Sequence, residues 1–508
     1  VLLNELTDRA ETRRAEALAL LDSARQASLG QYFTPAPAAS LIASMPQLPP
    51  KGRLRILDPG AGSGSLTSAL VARALAQSPD LQIEVVALEI DSTLHSSLQA
   101  TLRDAVVAAK TVGASLDATV VMGDFIDLAT SGSHPALGVP FDVVVMNPPY
   151  GKLGARSKGR AALSGLGVEC PNLYAAFLTL GIHLLRPEGQ LVAITPRSFA
   201  NGPYFGSFRS FLLDNVAINK IHVFNSRSSV FSDTGVLQEN VIICGTRGGK
   251  LTKVTISSSE GHTDKVRKRI VPYEEVVHRG DAARFIRIAA DQDDTPFTEL
   301  MAQLPSTLSD LGLKVSTGKV VDFRSKQNLR EQPSLTDLPL IYPGNLSNGT
   351  IKWPREIRKP QAFDAFDAPA QKLLLPPGHY VAIKRFSAKE ERRRIVAAVW
   401  DPAVNGPTPV AFENHLNIIH SNGEGLGRDL AAGLNLWLNS TMVDRAFRTF
   451  SGHTQVNATD LRTMRFPSLD KLVALGRGQL IALPEQEKID ALVHDLIEEV
   501  TEGATLAT

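Results

Sequence analysis

Cysteine is nearly missing from this sequence. Its 508 residues hold two, Cys170 and Cys244, too few for a disulfide framework or a structural zinc site, so no metal site is assigned. No uninterrupted apolar run approaches the roughly 18 residues that a spanning helix needs, and no membrane partner is expected. The first turns of the chain include Glu5, Asp8, Arg9, Glu11, Arg13, Arg14 and Glu16. That leaves no apolar stretch for a secretory signal, and by elimination a cytoplasmic location is expected. Net charge is almost absent too: 53 Lys and Arg against 52 Asp and Glu give +1. The balance hides an asymmetry. Residues 1–150 carry 10 cations and 15 acids, residues 151–250 carry 11 and 5, and the remainder carries 32 and 32. The basic middle stretch is the useful observation, because a local patch steers a charged partner more than the sum does.

What is present is ordinary globular composition, 43% hydrophobic and 21% charged. That supplies a core of normal size and excludes a disordered or collagen-like chain. At roughly 150 residues per domain, the length suggests two to four domains. Residues 5–28 read as a charged helix, and Pro35, Pro37, Pro46, Pro49 and Pro50 break up the segment after it. Between Arg53 and Arg247, β-branched runs at 53–58, 82–90, 117–123, 141–147, 189–196, 219–225 and 240–247 alternate with helical patterns such as 64–77, 92–110 and 171–185. Near-continuous apolar strands between helices predict an α/β fold with a mostly parallel, seven-stranded sheet covered on both faces. Residues 226–239 are too short and polar for a crossover helix, so the last strand is expected to enter antiparallel. This first domain is drawn over 1–250. Proline and glycine interrupt most runs beyond it, and 251–508 read as a separate α+β domain closed by an amphipathic helix near 484–500.

The chemistry-bearing residues fall at strand tips. The first strand runs into Asp58-Pro59-Gly60-Ala61-Gly62-Ser63-Gly64, where glycine lets the backbone turn sharply and approach a ligand. No Gly-Lys-Ser/Thr follows, so this is not a phosphate-binding P-loop. The second strand ends in Glu89-Ile90-Asp91, and a carboxylate there can accept both ribose hydroxyls of a nucleoside cofactor. The third delivers Gly123-Asp124-Phe125, an acid and an aromatic. Together these tips describe an adenosine pocket, with helix capping the lesser alternative for Asp124.

The fourth strand ends in Asn147-Pro148-Pro149-Tyr150. An exocyclic amine on a base is a poor nucleophile because its lone pair is delocalised into the ring. If the Asn147 side-chain oxygen and the Pro148 carbonyl accept its N–H bonds, density returns to nitrogen; proline fixes that carbonyl and adds no competing donor. Tyr150 supplies an aromatic wall. The following segment, with Lys152, Arg156, Lys158 and Arg160 and no acid, suits a mobile loop closing over phosphates or, more plainly, a solvated charged loop.

At this point the sequence resembles a family. Arg53–Arg247 is similar to the Rossmann-like class I S-adenosylmethionine-dependent methyltransferases, and more closely to the adenine-N6 DNA methyltransferases of type II restriction–modification systems. The order is the one in which a target-recognition domain follows the catalytic motifs. The resemblance implies that Gly30–Pro35, with Tyr32, Thr34 and Pro35, caps the methionine end of the cofactor. It implies that Asp58, Gly60, Gly62, Gly64, Glu89, Asp124 and Phe125 bind S-adenosyl-L-methionine, and that Asn147, Pro148, Pro149 and Tyr150 are catalytic. Asn172-Leu173-Tyr174 with Phe177, and Leu191–Pro196, match further family segments. Phe231 matches the aromatic that, with Tyr150, stacks on an extruded base, and Phe224 is its competitor.

Double-stranded DNA is the implied partner, together with a cognate restriction endonuclease encoded separately. Asn414-His415-Leu416 and Ser451–Leu461 look like segments in target domains of methylases that accompany PstI- and BsuBI-type endonucleases, with Thr459 a candidate helix N-cap. Segments near Arg324–Asn328, Arg385–Arg394 and His453–Asn457 are candidates for base readout. Methylation of guanine N2 in RNA or of a protein glutamine uses the same Asn-Pro-Pro-Tyr chemistry and stays open, as does a catalytically idle DNA-binding component.

Overall fold

Strand β4 (Phe141–Met146) shows why the first half folds as it does. Val143 and Val145 enter one core, Val144 and Met146 the other, and all four are at most 1% exposed. A strand with four apolar residues in a row can bury them only between two helical layers, and each such side chain gains about 1.5–3 kcal/mol by leaving water. The helices Leu3–Leu20, Ala36–Ala43, Ser65–Gln77 and His95–Thr111 cover one face through Leu6, Ile42, Leu70 and Leu102. Phe125–Ser131, Leu173–Leu184 and Gly206–Asn215 cover the other through Phe125, Leu178 and Phe208.

The computed structural model describes residues 3–20, 30, 32–154, 157–224, 239–250, 252–261, 264, 266–278, 281, 283–288, 295–331, 337–387, 391–450 and 455–505. They fall into two units, Val1–Ala290 and Asp291–Thr508. The first unit is built on one sheet in the order β3-β2-β1-β4-β5-β7-β6-β8-β9. Its strands are β1 (Gly52–Pro59), β2 (Leu81–Glu89), β3 (Ser115–Met122), β4, β5 (Leu185–Pro196), β6 (Val216–Phe224), β7 (Asn240–Arg247), β8 (Lys253–Ser259) and β9 (Arg267–Pro272). β1 to β5 are parallel, and β7 runs antiparallel to β5 and β6 as expected.

Nine strands replace the expected seven. β8 pairs parallel with β6, and β9 antiparallel with β8. Ser257-Ser258-Ser259 and Arg267-Lys268-Arg269 lack the apolar signature of the other strands, which is why this edge was not legible. The segment after it is also tied back. Arg209 donates to the Ala283 carbonyl at 2.7 and 3.0 Å, and Arg197 to that of Ile288 at 3.0 Å. The first unit therefore runs to Ala290 rather than stopping at 250.

The second unit is α+β. A six-stranded sheet runs Lys314–Thr317, Leu416–His420, Tyr380–Lys384, Ala397–Trp400, Thr350–Ile351, Leu346–Ser347. A five-stranded sheet runs Leu329–Arg330, Ala362–Phe363, Leu338–Ile341, Val410–Phe412, Leu374–Leu375. Helix Arg428–Leu438 packs on Leu469–Gly476 with Gly433 against the Leu472 carbonyl, where any Cβ would clash. The closing helix spans Gln486–Thr505 and buries Ile489, Val493, Leu496 and Ile497. Helix Ala458–Thr463 begins at Asn457, which forms a capping box with Asp460. Thr459 thus lies inside the helix rather than capping it. Among the described residues, no helix is long and apolar enough to cross a membrane.

Candidate active site

Parallel pairing levels the strand tips. Pro59 lies opposite Leu88, and Leu57 opposite Val144, so one residue beyond β1, the last of β2 and one beyond β4 reach the same edge: Gly60, Glu89 and Asn147. The Gly60 and Ala61 amides donate to the Leu88 carbonyl at 2.9 and 2.8 Å. The loop then bends across the tip of β2, and the Gly62 amide donates to Glu89 Oε2 at 2.8 Å. The Asp91 amide donates to Glu89 Oε1, also at 2.8 Å. Each oxygen of one carboxylate is thereby anchored. Burial raises the Glu89 pKa from its ordinary value, against these amide bonds that lower it. Gly64 closes the loop at φ +91°, and a Cβ there would meet Thr101 Cγ2 at 2.9 Å. Only glycine suits both the left-handed backbone and that contact.

A cleft opens at this edge, the concave kind of place where small molecules and cofactors bind. Its lining includes Tyr32, Phe33, Thr34, Gly60, Gly62, Ser63, Glu89, Ile90, Leu94, Asn147, Pro149 and Phe177. The Ser63 and Ser65 hydroxyls in its wall are buried and have no hydrogen-bond partner among the described residues. Both are groups that a polar ligand would satisfy.

Asn147 is held from three directions. Its Nδ2 donates to the Tyr32 carbonyl at 2.6 Å and to Thr34 Oγ1 at 3.1 Å, while the Tyr150 hydroxyl donates to its Oδ1 at 3.1 Å. The amide plane is therefore set by the Tyr32–Thr34 segment, which enters from ahead of the first strand. The segment is seated by Gly30, at φ +62°, whose absent Cβ would lie 2.9 Å from the Gly151 nitrogen. Gly30's carbonyl accepts the Tyr150 amide at 3.3 Å. The Tyr150 ring lies 5.1 Å from that of Tyr32 and 6.4 Å, edge-on, from that of Tyr174. Burial among these rings pushes its phenol pKa well above the ordinary value, so it remains a neutral donor to Asn147.

Other expected residues lie elsewhere. Asp58 is fully buried behind the loop, where Thr67 Oγ1 donates to its Oδ2 at 2.6 Å; burial and the nearby Glu89 raise its pKa to about 7. Pro35 precedes the helix Ala36–Ala43 and accepts the Ala39 amide at 2.9 Å. Asp124 caps Phe125–Ser131, its Oδ1 accepting the Ile126 amide at 2.7 Å. Neither Asp124 nor Phe125 lines the cleft; Phe125 is buried against Phe177 at 5.0 Å, and Phe177 takes the cleft wall. Pro148 is buried. Lys152 and Lys158 are exposed, whereas Arg160 pairs with Glu169 at 3.6 Å. Arg156 and Phe231 lie outside the described residues. Leu94, Ser65 and Leu66 were missed, since nothing in an apolar or serine residue of a helical turn marks it as facing a cleft. Phe33 lay inside a noted segment without being singled out.

Comparison with known proteins fits this geometry. The chain is 40% identical over 488 residues to the type II methyltransferase M.BsuBI of Bacillus subtilis, covering 93% of this chain and 94% of that one. This chain belongs to the type II methyltransferases. It is 38% identical to M.PstI of Providencia stuartii, covering 98% of each, and residues 124–231 match the Eco57I restriction-modification methylase family. The fold is shared with the Type IIL restriction-modification enzyme MmeI, solved in complex with DNA, at TM-score 0.55 and 13% identity, covering 99% of this chain and 74% of that one. A type II methyltransferase modifies DNA, and S-adenosylmethionine is the methyl donor here. The lining suits that donor: a carboxylate at Glu89 would accept ribose hydroxyls, Ile90, Leu94, Phe33 and Phe177 would face an apolar ring, and the Ser63 and Ser65 hydroxyls would meet polar groups.

Proposed function

We propose that this methyltransferase acts on the N6 amine of adenine within a defined sequence of duplex DNA, and that the adenine leaves the stack to be modified. The observation that carries this reading is Asn147, which lines the cleft with its amide plane held at both ends. Bound S-adenosylmethionine would supply an electrophilic methyl group on a good leaving group. The protein's task is then to make a weak nucleophile adequate. Asn147 Oδ1 and the Pro148 carbonyl accept the two amine hydrogens, shifting density to nitrogen and aligning it for in-line attack. Tyr150 and Phe231 sandwich the base, and a closed stack inside a helix would keep N6 out of reach. Nitrogen gains the methyl, and its surplus proton passes to water. Lys152, Arg156, Lys158 and Arg160 lie on the segment after Tyr150 and grip phosphates. The second unit, Asp291–Thr508, reads the sequence. The modification protects host DNA from an endonuclease encoded separately.

The test is transfer from radiolabelled donor to duplex DNA followed by nucleoside digestion. Label should co-migrate with N6-methyladenine. Label confined to cytosine, to guanine in RNA or to protein glutamine would replace this reading with one of its rivals.

A further inference from the structure

Three segments of the second unit carry the cations and amides that base readout needs, and the structure separates them by where those groups go. Arg385 donates to the Asn414 carbonyl at 3.1 Å and to Gln455 at 3.4 Å. Arg393 donates to the Ser440 carbonyl at 3.1 Å and to Thr441 at 3.3 Å, and Arg394 is 1% exposed. Asn457 is spent on a helix cap, and His453 lies outside the described residues. These groups hold the unit together.

The segment at 323–327 differs. Phe323 is 69% exposed, and Arg324, Lys326 and Gln327 are exposed beside it. Among the described residues, none of the three polar side chains has a hydrogen-bond or ion-pair partner; the Arg324 guanidinium lies 5.3 Å over the Phe323 ring. The backbone beneath is nevertheless firm. Asn328 Nδ2 donates to the Asp364 carbonyl at 2.9 Å, the Asp364 amide donates to that of Asn328 at 2.8 Å, and Leu329 pairs with Phe363. A second phenyl, Phe366, stands 58% exposed in the loop that follows the paired strand. Two nearby acids are paired: Asp322 with Lys359 at 2.6 Å, and Asp364 with Arg330 at 2.7 Å. Residues 319–330 and 352–359 together hold eight cations against two acids.

We infer that this face reads the DNA sequence: Arg324 and Gln327 pair with base edges, Lys326 grips a phosphate, and Phe323 and Phe366 pack on thymine methyls or an unstacked step. The inference rests on the functional reading above and assigns its specificity to named residues. An arginine fork matches the two acceptors of guanine, and a glutamine amide matches the donor and acceptor of adenine. Exposed phenyl rings in the loops flanking a hydrogen-bonded strand pair are costly in water but productive against apolar base surface. The surplus positive charge selects a polyanion as occupant, and the forked and amide side chains select one with base edges to read.

The test uses the full chain and a pool of duplexes randomised across the binding site, sequenced after selection at two salt concentrations. Wild type should enrich one motif. Arg324→Ala and Gln327→Ala should each lose preference at one or two base positions, with discrimination there falling about 5- to 150-fold. Lys326→Ala should weaken all sequences alike and lower the slope of log affinity against log salt by about 0.9. Unchanged preference at every position in both variants overturns the inference. So does uniform weakening with preference intact, which would make this face a phosphate grip only. Thermal melting checks each fold, and Arg324→Gln and Gln327→Glu serve where alanine lowers it. Because binding is read without methyl transfer, selective binding that leaves no N6-methyladenine would sink the adenine reading and leave this one standing.

Discussion

Replacing Glu89 by glutamine keeps the shape of the side chain and changes what it can accept. In the native protein the Gly62 and Asp91 amides each donate to one carboxylate oxygen at 2.8 Å. In Glu89→Gln one oxygen becomes an NH2 that faces an N–H donor, and turning the amide over only chooses which backbone group is left unpaired. The free protein loses one charge-assisted bond, worth about 1.5–3 kcal/mol, and its melting temperature should fall. Donor binding suffers separately, because a ribose hydroxyl that would have met carboxylate now meets a neutral amide. At 1.4 kcal/mol per factor of ten, one such bond corresponds to a dissociation constant weakened about 10- to 150-fold. The rate at saturating donor should stay within a few-fold, since Asn147 is untouched. Titration calorimetry with S-adenosylmethionine and single-turnover kinetics at saturation measure the two effects independently. A dissociation constant within twofold of wild type, or a saturated rate that falls as far as the affinity, would refute the assignment of Glu89 to the donor.

Asn147→Ala should slow methyl transfer at saturating donor by at least about 100-fold, while donor affinity, read by calorimetry, falls far less; equal losses would show that the amide is only a structural post for Tyr32 and Thr34. Asp58→Asn should change how stability depends on pH. The folded pKa of Asp58 is raised from 3.8 to about 7 by burial, so the native state holds more protons than the unfolded chain between those values, and wild-type stability from this group falls as pH rises through that window. The melting temperature of Asp58→Asn relative to wild type should therefore be higher at pH 8 than at pH 4, and a constant difference would contradict it.

The parts of the site that could be read from sequence are those where the chemistry demands short contiguous runs. A glycine loop, an acid at the next tip and Asn-Pro-Pro-Tyr are each local, and parallel strand register then brings Gly60, Glu89 and Asn147 level without further information. The illegible parts depend on which way a helix faces. Phe125 and Phe177 are both aromatics on helices over the same sheet face, and only packing decides that Phe125 fills the core while Phe177 meets the cleft. Asp124 was ambiguous for a related reason: a strand-to-helix junction needs a cap as much as a ligand needs an acid, and its Oδ1 serves the helix. β8 and β9 escaped notice because a polar edge strand lacks the apolar run that marks a central one.

The hydrogen bonds from Asn147 to Tyr32 and Thr34 place two ligands in a single thermodynamic cycle. Tyr32 and Thr34 line the donor cleft, and the amide they orient is the one proposed to receive the base. A donor that favours the ordered arrangement of this segment prepays part of the cost of presenting Asn147, so it raises the affinity for the target base by some factor. Reciprocity requires the base to raise donor affinity by that same factor. Occupancy of each site is then a report on the other. Donor loss from the ternary complex should be slower than from the binary one, and demethylated donor, once formed, should be retained until the modified base withdraws.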